Sequence, residues 1–291
     1  METLAFPALA DAPPAVHPAP HACLNCGTTL HDHFCARCGQ SADTHRFTTR
    51  HLLHEIPHSI WHVDKGLLYT LREMLLRPGA ALRGYLAGQR RPHFAPLSFM
   101  LLLVSISTFL MSALHIVPFD MSDASVPAAT RRMQLEMFGP LIKYMSWFFV
   151  LGLPLTAALT RRVLRRGGFN YAECILINAF VIGATTAVTM CFIPLMRVFS
   201  GSAGIVLVTW ASSLTMFALQ TRAYGQLLEH TGLSPAGRYL RGLVASVGGY
   251  FLMLLFIGLI IVGVAFPRIM QQTREQMQAQ RAAQAALHPA R

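Results

Sequence analysis

Cys23 and Cys26 form one C-x-x-C pair, and Cys35 and Cys38 form a second, inside the stretch "HACLNCGTTLHDHFCARCGQ" from His21 to Gln40. Two cysteines at this spacing can turn both sulfurs toward one ion. The glycine that follows each pair, Gly27 and Gly39, permits the positive φ that such a knuckle demands. Two knuckles together supply four thiolates, the closed tetrahedral set of structural zinc. A four-sulfur site also takes iron, so the ligand set favours zinc without excluding iron. With four thiolates present, His31 and His33 are surplus as ligands and read as solvated turn residues. A segment of about twenty residues buries no core of its own. The expected cofactor is therefore one structural zinc ion, which contributes on the order of 10–16 kcal/mol in comparable peptides.

A second set of metal-capable side chains follows: His51, His54, His58 and His62, with Asp64 just beyond. "HEIPH" over His54–His58 matches H-E-x-x-H, in which a helix puts two zinc-binding histidines on one face beside a glutamate. Pro57 opposes that use, because proline in a helix interior removes a backbone bond and costs about 3 kcal/mol. It also pushes Ile56 away from helical geometry. No catalytic residue is assigned on this motif. His54, His58, His62 and Asp64 stay a candidate second polar or metal cluster, since imidazole serves metal and proton alike. The simpler account is an interfacial helix whose polar face happens to use histidine.

The elements that must position these residues are unusually apolar. Of 291 residues, 53% are hydrophobic and only 13% charged, against about 25% charged in soluble domains. Five runs approach or exceed the roughly 20 apolar residues that cross a bilayer as a helix: 95–117, 141–160, 173–195, 204–221 and 242–266. The fourth is short and carries Ser212, Ser213 and Thr215. The fold class expected is thus an all-α polytopic membrane protein of about five transmembrane helices with a small N-terminal zinc ribbon at 21–44. Residues 1–20 lack a basic n-region and a proper apolar stretch, and read as a disordered Ala/Pro-rich tail. Residues 45–94 form a juxtamembrane region in which Leu67, Leu68, Leu71, Met74 and Leu75 recur at helical spacing. That amphipathic helix is ended by "RPG" at Arg77–Gly79, with a second short helix expected over 80–86, both lying as a collar on the inner membrane surface. Residues 267–291 read as a polar helical tail.

Arginine and lysine placement sets the orientation. Nine precede the first span; Arg161, Arg162, Arg165 and Arg166 lie between the second and third, and Arg222, Arg238 and Arg241 between the fourth and fifth. This puts the N-terminus in the cytoplasm and the C-terminus outside. The ribbon then sits in a reducing compartment, which disfavours disulfides between its cysteines. The net charge of +11 is accounted for by topology and anionic lipid headgroups, so no nucleic-acid partner is expected.

Three blocks, "CLNCG…FCARCGQSADTHRFT", "LLHEIPHSIWHVDKGLLYTLREMLLRPG" and "YLAGQRRPHFAPLSFMLLL", resemble a bacterial membrane-protein family catalogued as domain of unknown function 3667. The resemblance covers roughly residues 22–105. The blocks carry Cys23, Cys26, Cys35, Cys38, His45, His54, Pro57, His58, His62, Asp64, Lys65, Gly66, Pro78 and Gly79. It implies a cysteine ribbon, a histidine-containing juxtamembrane block and several spans in the bacterial inner membrane, and it implies no activity.

Within the spans ionisable groups are nearly absent, whereas transport paths are marked by them. Lys143 and Glu173 read as snorkelling at span entrances, and His115 lies near an exit. Asn178 and the hydroxyls of the fourth span are expected to make interhelical hydrogen bonds. Gly242/Ser246 and Ala245/Gly249 form a small-residue packing face, used within the bundle or between protomers of a homo-oligomer. Gly152–Pro154 and Pro194 resemble the helix breaks of transporters. Three functions follow in order of preference. The first is a non-enzymatic binding or scaffold protein whose ribbon docks a cytoplasmic protein or buttresses the collar. The second is a transporter or channel for a small or lipid-like solute, and the third a metal-dependent hydrolase using His54 and His58.

Overall fold

The computed structural model describes residues 22–44, 46–49, 66–117, 127 and 145–287. Among them there is no strand, only two isolated antiparallel bridges in the ribbon, Ala22 with Thr29 and Phe34 with Ser41. The remainder is helical: α1 (Leu67–Leu76), α2 (Pro78–Leu86), α3 (Pro96–Ala113), α4 (Met145–Val163), α5 (Tyr171–Thr189), α6 (Ile193–Val198), α7 (Gly204–Leu227) and α8 (Pro235–Leu287).

Local chemistry sets the boundaries. Arg77, at φ −139° and ψ 55°, separates α1 from α2, and Pro78 opens α2 where its missing N–H costs nothing. The second short helix thus starts two residues earlier than the expected 80. Pro96 opens α3 in the same way. The chain leaves the α4 end through Gly168 in the left-handed region, then enters α5 through a reciprocal capping box between Asn170 and Glu173. A 3-10 turn at Met190–Phe192 joins α5 to α6, with Pro194 in the first turn of α6. Pro194 thus lies at the start of α6 and not inside α5.

Helix α5 is the centre of the bundle. Every residue from Ala172 to Thr185 except Ile182 is buried, as expected of a helix that is apolar all round. In contrast α7 and α8 leave Leu207 (75%), Trp210 (64%), Phe251 (64%) and Leu259 (64%) exposed. An apolar surface of this extent needs a non-aqueous environment. Four helices are long and apolar enough to cross a membrane: Pro96–Ala113, Tyr171–Val198, Gly204–Leu227 and Pro235–Ile260. The expected second span corresponds to α4. Its described part begins at Met145 and includes Arg161 and Arg162, which dilute its apolar character.

Two glycines set how closely the helices approach. A Cβ on Gly79 would lie 2.6 Å from the backbone of Gln226, and one on Gly242 would lie 2.6 Å from the Thr221 carbonyl oxygen. Ala245 and Ser246 are buried in the same face of α8, so the small-residue stripe is used inside the bundle. Gly242→Val is accordingly expected to push α7 and α8 apart. Overpacking of this kind costs about 1–3 kcal/mol or more, readable as a lowered melting temperature in detergent.

The collar is welded to the bundle. Arg222 on α7 donates to the carbonyls of Leu75 (2.7 Å) and Leu76 (2.5 Å) at the end of α1, a cation where the helix dipole is negative. Arg83 on α2 donates to the Gln226 carbonyl and pairs with Glu229 at 3.3 Å. At the opposite end of the bundle, Val117 N–H donates to Ser200 Oγ at 2.8 Å.

Candidate metal centre and its docking to the bundle

The ribbon consists of two knuckles built alike. In the first, Cys23 N–H donates to Thr28 O and Gly27 N–H to Cys23 O. In the second, Cys35 N–H donates to Gln40 O and Gly39 N–H to Cys35 O; all four bonds are 2.8 Å. Gly27 (φ 75°) and Gly39 (φ 71°) both take the left-handed conformation that the spacing predicted. The four sulfurs lie within 4.8 Å of one another, with Cys23 to Cys38 at 3.6 Å and Cys26 to Cys35 at 3.5 Å. A tetrahedron with metal–sulfur bonds of about 2.3 Å has edges of about 3.8 Å, so the cluster is sized for one ion. None of the four is in a disulfide. The Thr28 hydroxyl, 3.3 Å from Cys26 Sγ, and the Thr28 backbone draw that thiol down to about 6. Asn25 and the Gln40 backbone lower Cys38, while burial raises Cys23. His31 and His33 are exposed, as befits surplus histidines.

Three residues that spacing alone did not single out fasten this unit to the helices. The first is Gln40, buried although polar. Its amide donates to Gly88 O at 2.8 Å, while its carbonyl oxygen accepts from Arg90 N–H (3.1 Å) and Arg91 N–H (3.2 Å). Arg91 returns a bond from Nε to Cys38 O at 3.0 Å. Leu24 covers Gly88, whose φ is +109° and whose Cβ would collide with it at 2.6 Å. The ribbon therefore reads the backbone of the loop after α2.

Arg46 and Phe47 are the other two. Arg46 donates to both carboxylate oxygens of Glu173, at 2.6 and 2.8 Å, and to Gly168 O at 2.9 Å. Phe47 stacks on Tyr85 with ring centroids 5.7 Å apart, lies under the Arg90 guanidinium at 3.6 Å, and accepts at its carbonyl from Asn170 Nδ2 at 2.9 Å. Glu173, expected to snorkel at a span entrance, is instead buried with its side chain 6% exposed. The bidentate guanidinium and the Asn170 N–H (2.8 Å) take up its oxygens. Its place at N3 of a capping box was visible in "NYAE"; its arginine partner, 127 residues away, was not.

His54, His58, His62 and Asp64 lie outside the described residues, as does Lys143. Among the described residues Cys23, Cys26, Cys35 and Cys38 are the only metal-capable cluster.

Deeper in the bundle, Asn178 makes the interhelical bonds expected of it. Its carbonyl oxygen accepts from Thr160 Oγ1 (3.1 Å) and Tyr224 OH (3.0 Å), and its amide donates to Thr156 Oγ1 (3.3 Å), tying α4, α5 and α7 together. In the fourth expected span the outcome differs. Thr215 bonds to Ala211 O of its own helix at 2.8 Å, because a threonine four residues on can reach back to the preceding turn.

Residues 64–108 match the model of a family described as Protein of unknown function (DUF3667). The matched stretch carries α1, α2, the ribbon-docking loop and most of α3, and bears out the family resemblance there. The cysteine ribbon lies ahead of it. No curated protein and no solved structure matches the chain.

Proposed function

We propose, with that family match as premise, that this chain is a non-enzymatic bacterial inner-membrane protein whose cytoplasmic zinc ribbon braces one end of a five-span bundle and serves as its docking surface for a cytoplasmic protein. The observation that carries the proposal is the coupling between the four-sulfur cluster and the helix ends. The knuckle that supplies Cys38 also supplies Gln40, which holds the α2–α3 loop, and the segment that follows it supplies Arg46, which holds the start of α5. Zinc is preferred over iron because four thiolates at knuckle spacing form the closed site of structural zinc.

The five-span arrangement is supported by helix direction. α3 starts beside the ribbon and finishes beside Ser200, while α5 starts beside the ribbon again, so α4 has to return the chain. Its 19 residues rise about 28 Å at 1.5 Å each, close to the hydrocarbon thickness of about 30 Å. Orientation is supported by charge: Arg83, Arg91, Arg165, Arg222 and Arg238 belong to segments gathered at the ribbon end, which the positive-inside rule assigns to the cytoplasm.

The purified full-length chain is expected to hold one zinc per chain by elemental analysis. Chelation is expected to raise amide exchange in the loop after α2 and in the first turn of α5, and not in the far end of α7. Iron in place of zinc, or native sulfurs oxidised to one another, refutes the metal assignment. Unchanged exchange after zinc removal refutes the brace.

A further inference from the structure

The bundle holds two adjoining, partly open cavities among the described residues, of about 270 and 260 Å³. Phe149, Ile182, Met216, Gln220 and Tyr250 line both. Together they reach the size range of small-molecule sites, about 300–1,000 Å³. The first is floored by Asn178, Thr160 and Tyr224 near the ribbon end; the second runs toward Ile193 and Met196 at the opposite end. From Asn178 to Ile193 the helix rises about 22 Å, so the combined space is long and narrow, following the bundle axis.

We infer that this space is a binding site for a neutral, single-chain lipid, with its polar head at Gln220 and Asn178 and its acyl chain toward Ile193. Three observations carry this. Apart from tyrosine, neither lining contains an ionisable side chain, and a buried charge without a partner costs several kcal/mol in such a setting, so the occupant is uncharged. The half-buried Gln220 side chain opens onto both cavities and makes no hydrogen bond among the described residues, and a polar group out of water costs free energy until it finds a partner. Asn178 uses one amide hydrogen on Thr156 and has a second to give. Amide donors and an acceptor thus converge at one end, whereas the polar groups toward Ile193 are hydroxyls, of which Thr185 and Thr189 are already bonded to carbonyls of their own helix; this fits a hydroxyl- or ester-bearing head on one hydrocarbon chain. Tyr250 and Leu254, both exposed, sit on the rim of the first cavity, so its mouth faces the lipid and not the ribbon. This site does not depend on the metal centre.

Gly249 provides the test. It lines the first cavity, and a Cβ there would meet nothing within 4 Å, so Gly249→Phe starts a bulky side chain in open space beside the cavity. Gly258 on the same helix is equally free of neighbours and lines neither cavity, which makes Gly258→Phe the control. The full-length chain in nanodiscs is photolabelled with monoolein carrying a diazirine in its acyl chain, and the labelled peptides are mapped. Wild type is expected to label within α5, α7 and α8 and to be competed by unlabelled monoolein. Gly249→Phe is expected to lose at least tenfold of that labelling, Gln220→Leu several-fold, and Gly258→Phe none, with all three melting as wild type does. Should Gly249→Phe fail to fold, competition in wild type together with Gln220→Leu decides. Labelling that unlabelled monoolein does not compete, or that Gly249→Phe leaves intact, means bilayer contact only and overturns the site. Equal labelling by the matching oleate probe overturns the neutral head.

Discussion

Cys35→Ser is expected to unfold the ribbon outright, not merely weaken its metal affinity. The 22–44 segment makes two isolated bridges and a handful of turn bonds; its buried apolar side chains are Cys23 and Cys35 themselves. Nothing else in it removes enough apolar surface from water to offset the entropy of ordering some twenty residues at about 1–2 kcal/mol each. Losing a thiolate ligand forfeits most of the on-the-order-of-10 kcal/mol that a structural zinc site supplies. The consequences should reach further than the ribbon. With the second knuckle gone, Gln40 no longer holds Gly88, Arg90 and Arg91. Limited proteolysis of membranes is expected to cut within 22–49 in Cys35→Ser and to spare wild type, while the bundle from α3 onward stays resistant. Full protection of Cys35→Ser would mean that the ribbon stands without its metal.

The second large effect is expected at the latch between Arg46 and Glu173. Glu173→Ala removes the bidentate ion pair and, at the same time, the reciprocal half of the α5 capping box. A lost cap alone is worth about 1 kcal/mol, and hydrogen bonds to charged groups about 1.5–3 kcal/mol. Arg46→Ala is expected to cost less in cap geometry, because Asn170 still pairs with Glu173, but it leaves a buried carboxylate with a single N–H. Broken buried pairs of this kind cost up to about 3–5 kcal/mol, and the 62% exposure of the Arg46 side chain places this one toward the lower end. A double-mutant cycle in detergent, read by thermal unfolding, should return a coupling energy of at least 1 kcal/mol. A coupling near zero would mean that Phe47 and Gln40 alone hold the ribbon in place.

The apolar runs and the cysteine spacing were legible because both depend on local order. A helix that crosses lipid must satisfy its own backbone, so its signature is a contiguous run that needs no knowledge of neighbours. That is why the expected 95–117, 173–195, 204–221 and 242–266 each recur as helices long and apolar enough to span. The knuckles were equally visible, since Cys-x-x-Cys-Gly closes on itself through bonds between residues four and five apart.

What spacing could not convey is which far-off residue each polar group meets. Glu173 read as snorkelling at a span entrance until Arg46 was placed against it, and no spacing marked Gln40 before the loop after α2 supplied its three partners. Gly249 and Gly242 belong to one small-residue stripe, yet one faces a void and the other the backbone of α7.

By itself, then, the order of residues determined that this chain is a bundle of lipid-crossing helices preceded by a four-thiolate module, because each of those properties closes within a short stretch of chain. Only the tertiary structure decided that the module is fastened to the helix ends, and that the bundle leaves a cavity without charged side chains beside Asn178. Both result from pairings across 48 to 127 residues or from the fit of several helices at once, and no local pattern encodes how closely two distant surfaces meet.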